Sequence, residues 1–349
     1  MPVDVTFNIP LPLRRHSDWC AGAKRNLVWL AERGLINSQT AHLYDLFKSE
    51  TLVGYTFPYA TSHGLDMANR IISVCTILDD QFDGPAGRDP TAARQVSESF
   101  IALLDPSTSA AVEDPSPLHK AFAEVWRDSC EGKSPMWHTR AAESWRRYFS
   151  SLVHEAGNRR RDGFLPLDCY LEQRLVTGAM QQFTDACEVA GEFEVPPVAF
   201  NIPQLRIMRT LTADFVNLAN DLASLEKEIV AGETDNLVMV IRNERGCDID
   251  EAIKLAHRFV EGKVTRFAEL QPSIPVICES LALSPDEIAT VDRYVEALAA
   301  WISGYERWQR ETFRYRAAGR LNSATGSGYC FQDLLGHSER LQHHESSPN

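Results

Sequence analysis

Leu78-Asp79-Asp80-Gln81-Phe82-Asp83 crowds three carboxylates into five positions. On a helix Asp79 and Asp83 stand on one face a turn apart, with Asp80 beside them. Carboxylates this close repel one another, and a hard divalent cation such as Mg2+ relieves the repulsion through oxygen ligands while keeping waters or phosphate oxygens. The same acids also read as a plain acidic helix end before the Gly84-Pro85 turn. Against that, acids at a helix C-terminus oppose the macrodipole, and these follow an apolar run, Ile71 to Leu78, that should be buried. A second cluster runs from Asn220 to Glu228. There Asn220, Ser224 and Glu228 follow i, i+4, i+8 and stack an amide oxygen, a hydroxyl and a carboxylate along one helical stripe, with Lys227 alongside. It suits a second Mg2+ position, or else is a solvated charged face. Its apolar neighbours Phe215, Val216, Leu218 and Leu222 place it on a core-facing helix. Two basic elements complete the set: Arg174, 46 residues before Asn220, and the pair Arg314-Tyr315 within WQRETFRYR. A guanidinium fork and a tyrosine hydroxyl suit a diphosphate.

Helices must carry these groups. Ser17-Asp18 opens an amphipathic run that closes at Gly34, Asn37-Ser38 opens one carrying Ala41, Leu43, Tyr44 and Phe47, and Ser62-His63 opens one ending near Gly84-Pro85. Further helical stretches are predicted for 90–104, 116–130, 134–157, 167–187, 202–231, 248–270 and 284–315, separated by proline and glycine breaks. No sustained period-two alternation argues for a sheet. The expectation is one all-α domain of about ten helices over residues 17–320. An extended, proline-marked N-terminal segment (1–16) precedes it and a flexible Gly/Ser/His-rich tail (321–349) follows.

Composition narrows the function classes. With 48 acids against 35 bases the net charge is -13, which disfavours a general nucleic-acid binder. At 44% hydrophobic and 24% charged residues, the 349-residue chain can bury a sizeable core. No uncharged apolar run approaches the ~18 residues of a membrane span, and no signal peptide is evident, so a cytoplasmic location is expected. Eight scattered cysteines without a CxxC pair predict reduced thiols rather than a metal cage or a disulfide framework.

DDQFD, NDLASLEKE, Arg174 at its offset and the late Arg-Tyr pair together resemble a class I terpene synthase (terpene cyclase) of the bacterial type. Its aspartate-rich DDxxD motif and its NSE motif, N-D-x-x-S-x-x-x-E with lysine before the glutamate, are matched at every position. The resemblance spans most of the chain, from the IPLPLR lead-in to Tyr315. It implies a helical bundle around a deep apolar pocket, with three Mg2+ ions holding a prenyl diphosphate at the mouth. Asp79 would be the main ligand of the first set, supported by Asp80 and Asp83, while Asn220, Ser224 and Glu228 hold another ion. Arg174 resembles the family's pyrophosphate sensor, and Thr177 and Gly178 fall at its linker and effector positions. Lys227, Arg314 and Tyr315 would grip the leaving group. The implied reaction ionises and cyclises a linear prenyl diphosphate.

Three pocket positions depart from the habit of family members that use farnesyl diphosphate. Thr76 and Cys75 stand where a phenylalanine often precedes the first aspartate, and the effector position is Gly178. Less bulk there predicts a larger pocket, so a diterpene cyclase acting on geranylgeranyl diphosphate stands beside the sesquiterpene reading, which family frequency favours. Phe183 and Trp308 read either as aromatic pocket walls or as plain core. No second DDxxD supports a prenyl-chain elongating enzyme, and Asp248-Ile249-Asp250-Glu251 matches DxDD poorly. A non-catalytic helical interaction protein would keep all four clusters for no reason. A homodimer is compatible with the sequence, which does not read out the oligomeric state.

Overall fold

The computed structural model describes residues 6–105, 114–160, 163–312 and 333–335. Among them stand fifteen α-helices and no strand: α1 (Trp19–Glu32), α2 (Thr40–Phe47), α3 (Ser49–Thr56), α4 (Ser62–Asp83), α5 (Pro90–Ala102), α6 (Pro117–Cys130), α7 (Pro135–Asn158), α8 (Leu167–Thr177), α9 (Met180–Ala190), α10 (Pro197–Phe200), α11 (Pro203–Ala231), α12 (Leu237–Arg245), α13 (Ile249–Leu270), α14 (Ile274–Ser280) and α15 (Pro285–Glu311). Local chemistry sets many of the starts. Asp89, Ser116, Ser134 and Ser284 each accept a main-chain N–H at the head of α5, α6, α7 and α15, with a proline in the first turn of each. Such caps satisfy donors that the helix itself cannot. The long α11 stops at Gly232, whose φ of +74° ends it in the left-handed region.

Helices α4, α7, α8, α9, α11 and α15 pack on one another in a ring of neighbours, with α3 closing against α4 and α15. Outside this ring α13 lies on α11, α5 on α7, and α1 and α6 on α4. Residues 6–16 of the N-terminal segment hold no helix and lie along the bundle. Phe7 meets the edge of Phe215 at 5.3 Å, and Ser303 Oγ donates to Pro12 O at 2.9 Å. Among the described residues no helix is long and apolar enough to cross a membrane.

Several expectations change, the first being the count: fifteen α-helices stand among the described residues where about ten were expected. The stretch 167–187 is two helices, α8 and α9, broken at Gly178-Ala179, and Ala179 has φ +56°. The cause is a close approach by α11: a Cβ on Gly178 would lie 1.9 Å from Asn217 Oδ1. The last long helix stops at Glu311 rather than running to Tyr315. Thr312 turns to an extended conformation and its hydroxyl donates to Phe47 O at 2.8 Å. Arg314 and Tyr315 lie outside the described residues. Within the segment expected to be a flexible tail, Leu334 and Leu335 are buried against the bundle.

Candidate active site

A cavity of about 130 Å³ opens between α4, α7, α8, α9, α11 and α15. Asp79, Arg174 and Asn220 line it together, bringing one member of each ligand set and the candidate sensor to one space. The rest of the wall is largely apolar and aromatic, including Ile72, Cys75, Val216, Phe183, Trp301 and Trp308. Phe183 stacks on Trp301 with centroids 5.3 Å apart and planes 2° from parallel, and Phe57 meets Trp301 edge-on at 5.4 Å. Trp308 does two jobs. It lines the cavity, and its indole N–H donates to Phe47 O and Lys48 O, fastening the left-handed kink between α2 and α3. Phe183 and Trp308 are therefore both wall and core.

The first carboxylate set sits at the C-terminal end of α4. Asp79 is exposed, Asp80 is buried and Asp83 is half-buried. Arg159, directly after α7, pins this end by donating to Phe82 O at 3.1 Å and Gly87 O at 3.0 Å. The turn must be glycine at 87, because a Cβ there would fall 1.7 Å from Phe82 O. Asp83 accepts from Lys227 Nζ at 3.3 Å and lies 4.0 Å from Arg159. Lys227, expected at the leaving group, thus ties the second motif to the first.

The second set follows the expected stripe on α11. Asn220 Oδ1 accepts from Arg174 Nη2 at 3.0 Å, Ser224 Oγ donates to Asn220 O at 2.8 Å, and Glu228 Oε2 accepts from Asn236 Nδ2 at 2.7 Å. Burial pushes the Glu228 carboxyl up to about 7, and the nearby Asp221 adds to it. A cation would relieve that strain, and the donor set fits one. An amide oxygen, a hydroxyl and a carboxylate each have more than one lone pair, so each can still accept after its present bond. Among the described residues no three His, Cys, Asp or Glu side chains converge on one point. A hard ion here would be held by mixed protein oxygens, with positions left for water or phosphate.

Arg174 is the most tightly specified group at the mouth. Its Nε and Nη2 both reach Asp221 Oδ1 at 2.9 Å, and Nη2 also donates to Asn217 O at 3.2 Å. Asp221, 1% exposed, is itself held by the Tyr170 hydroxyl and by Leu237 N at 3.1 Å. Burial opposes the charge on Arg174, but Asp221, Tyr170 and Glu228 outweigh it and raise its proton affinity. Nη1 makes no hydrogen bond to the described residues, and the side chain lines the cavity. Asn217 completes the arrangement: its Nδ2 donates to Arg174 O at 2.9 Å and its side chain fills the space beside Gly178. The expected enlargement at Gly178 is thereby corrected, since Asn217 occupies the volume. Thr177 and Gly178 do line the cavity at the broken end of α8, and Cys75 and Thr76 line it from α4. Burial raises the Cys75 thiol, so it stays neutral. The Thr76 hydroxyl donates back to Ile72 O at 2.9 Å.

Sequence reasoning missed Asn217, Tyr170, Tyr148 and Glu155. Asn217 stands one turn before Asn220, a spacing that could have found it. Tyr148 lines the cavity from α7, and Glu155, two turns further along, is pushed up to about 7 by burial against the pull of Arg159 and Arg174. Nothing in the order of residues brings α7 to this mouth.

An all-α bundle thus brings oxygen-bearing side chains of α4 and α11 and a held arginine to one largely apolar cavity. Residues 70–266 match the profile of terpene synthase family 2, C-terminal metal binding. Pentalenene synthase of Streptomyces arenae is 35% identical over 94% of this chain and 97% of its own. (-)-Beta-caryophyllene synthase of Saccharothrix espanaensis is 31% identical over 97% of this chain and 95% of its own. Among solved structures, germacradien-4-ol synthase from Streptomyces citricolor superposes with a TM-score of 0.79 at 30% identity, over 89% of this chain and 100% of that one. Wild-type cucumene synthase gives 0.77 at 32% identity over 88% and 100%. The chain belongs to the bacterial-type class I terpene synthases.

Proposed function

We propose that this enzyme ionises and cyclises farnesyl diphosphate to a cyclic sesquiterpene, releasing diphosphate as a carbon–oxygen lyase that uses three Mg2+ ions. The observation that carries the reading is the convergence of Asp79, Asn220 and Arg174 on one cavity whose remaining wall is largely apolar and aromatic. Relatives support the substrate: the caryophyllene and 7-epi-alpha-eudesmol synthases are both named as cyclising (2E,6E)-farnesyl diphosphate. Asp79, Asp80 and Asp83 would hold metal on α4, and Asn220, Ser224 and Glu228 on α11. When bound, Mg2+ supplies the positive charge that neutralises the departing diphosphate.

The protein's own groups do the rest. Arg174, oriented by Asp221 and Asn217, offers its remaining Nη1 to a diphosphate oxygen. Lys227 exchanges Asp83 for the leaving group, and Arg314 and Tyr315 add donors by family resemblance. The C–O bond breaks with its electron pair leaving on diphosphate. The allyl cation then faces walls that exclude water, with the Phe183–Trp301 stack and Tyr305 presenting π-surface. Main-chain dipoles at the broken end of α8 lie on the same wall, in keeping with the effector position at Gly178. Because Asn217 fills the space beside Gly178, the case for geranylgeranyl diphosphate rests on Cys75 and Thr76 alone. A cytoplasmic enzyme agrees with the seven described cysteines, all free thiols.

The test is incubation of the pure protein with Mg2+ and, separately, geranyl, farnesyl and geranylgeranyl diphosphate, with extracts analysed by gas chromatography. A cyclic C15 product with Mg2+-dependent diphosphate release is expected. A C20 product alone would assign the longer substrate, and no release from any of the three would sink the reading. Thr76→Phe sharpens the result, since any diterpene activity should vanish before the sesquiterpene activity.

A further inference from the structure

Gln81 occupies a neutral position inside the acidic run, yet it is 0% exposed. Both ends of its amide are engaged: Nε2 donates to Asp80 Oδ2 at 3.3 Å, and Oε1 accepts from Leu334 N at 2.8 Å. Only the oxygen end of an amide can accept a main-chain N–H, so Leu334 sets which way the amide faces and therefore which end meets the carboxylate. Leu334 and Leu335 are 2% and 6% exposed and join the hydrophobic core, while Leu335 N donates to Asp333 Oδ1 at 3.1 Å in a local turn. Two adjacent leucines buried this far beyond the last described helix form an anchored contact, reaching across 253 positions of sequence to α4.

We propose that Asp333–Leu335 form a C-terminal clasp which, through the Gln81 amide, positions Asp80 within the first ligand set. Gln81 and Leu334 are positioning groups; neither lines the cavity. The inference rests on the reading of Asp80 as metal support. A donor to a carboxylate that must also face a cation limits the rotamers Asp80 can take, so the ion meets a set already arranged. The clasp makes the C-terminal segment part of the metal site's framework.

Two full-length variants test it. Gln81→Met keeps the side-chain length but neither donates nor accepts, and Leu334→Pro removes the N–H that Gln81 receives. Hydrogen–deuterium exchange without metal should show 333–335 protected in wild type and unprotected in both variants. The Mg2+ concentration giving half the thermal shift in inorganic diphosphate should rise about threefold to tenfold in each, as loss of one such hydrogen bond implies. The double variant should be no worse than the single ones. Unchanged protection of 333–335 in Gln81→Met would overturn the clasp. Lost protection with an unchanged Mg2+ requirement would overturn its role in positioning Asp80. Neither measurement needs turnover, so failure of the proposed reaction and failure of the clasp register separately.

Discussion

Two buried arginine–carboxylate clusters stand on the same bundle and do opposite things. At the cavity mouth Arg174 is held by Asp221, Asn217 and Asn220. Near the other end of α7, Arg140 donates to Asp185 at 3.0 Å and to both oxygens of Glu188 at 2.5–2.6 Å. Arg140 and Glu155 lie on the same helix, roughly 22 Å apart along its axis. The Arg140 guanidinium lies 3.9 Å from the Phe200 ring centroid, and Arg209 approaches the same ring at 3.6 Å. Glu188, 0% exposed, also receives Val195 N at 2.8 Å and Trp137 Nε1 at 3.2 Å. Arg140 spends both terminal nitrogens on protein carboxylates, whereas Nη1 of Arg174 makes no hydrogen bond to the described residues and the side chain lines the cavity. The same residue pairing lies away from that cavity in one place and borders it in the other, where the proposed function gives it a ligand. A buried ion pair alone does not mark an active site.

The strongest test of this contrast removes charge at the mouth. Asp79→Ala should reduce turnover about 10²–10³-fold with an unchanged melting temperature, because Asp79 is exposed; steady-state diphosphate release and calorimetry read the two quantities. Asp80→Ala should hurt turnover less, because the proposed function has Asp80 supporting Asp79. Turnover equal to wild type in saturating Mg2+ would remove Asp79 from the metal site.

Matched lysine substitutions sharpen the comparison. Arg174→Lys should lose about 10²-fold in turnover, because a point charge cannot both grip Asp221 and reach a diphosphate. Arg140→Lys should lose about 1–3 kcal/mol of stability by leaving buried acceptor oxygens of Asp185 and Glu188 without a donor, with turnover of the folded enzyme near wild type. If the two variants had the same profile, the distinction drawn between clamp and site would fail. Gly178→Ala falls between them. Its Cβ would press on Asn217, costing about 1–3 kcal/mol and lowering turnover through the disturbed Arg174 carbonyl contact, as urea titration and kinetics can show.

The last test of the comparison is in pH. Burial pushes Glu188 and Glu228 each up to about 7 from 4.5. An acid with a raised native pKa holds a proton that the unfolded chain has already released. Its contribution to stability is therefore present in full below about 4.5 and lost as pH rises through about 7. Urea midpoints measured from pH 4.5 to 7.5 should decline across that window. Mg2+ with diphosphate should flatten the part due to Glu228 and leave the parts due to Glu188 and to Glu155, which burial also pushes up to about 7.

Much of the mouth was legible in the sequence because its chemistry depends on local spacing. Asp79, Asp80 and Asp83, and Asn220, Ser224 and Glu228, each lie on one helix, where a four-residue interval guarantees a shared face. Helix starts were equally legible, since a capping serine or aspartate followed by proline acts within four residues. The break at Gly178-Ala179 was not. Its cause is the side chain of Asn217 on another helix, and the helical pattern of 167–187 is the same with or without that neighbour.

Residue order thus determined which groups could bind a cation and a diphosphate, and that helices would carry them, because i, i+4 geometry and end capping are properties of one segment. Tertiary structure decided which of two arginines keeps a donor for a ligand. It put Asn217 into the space that Gly178 leaves, paired Lys227 with Asp83, and brought Leu334 back to Gln81. Each of those outcomes depends on a partner 39 to 253 positions away, and the approach of distant segments is set by packing of the whole bundle rather than by any local interval.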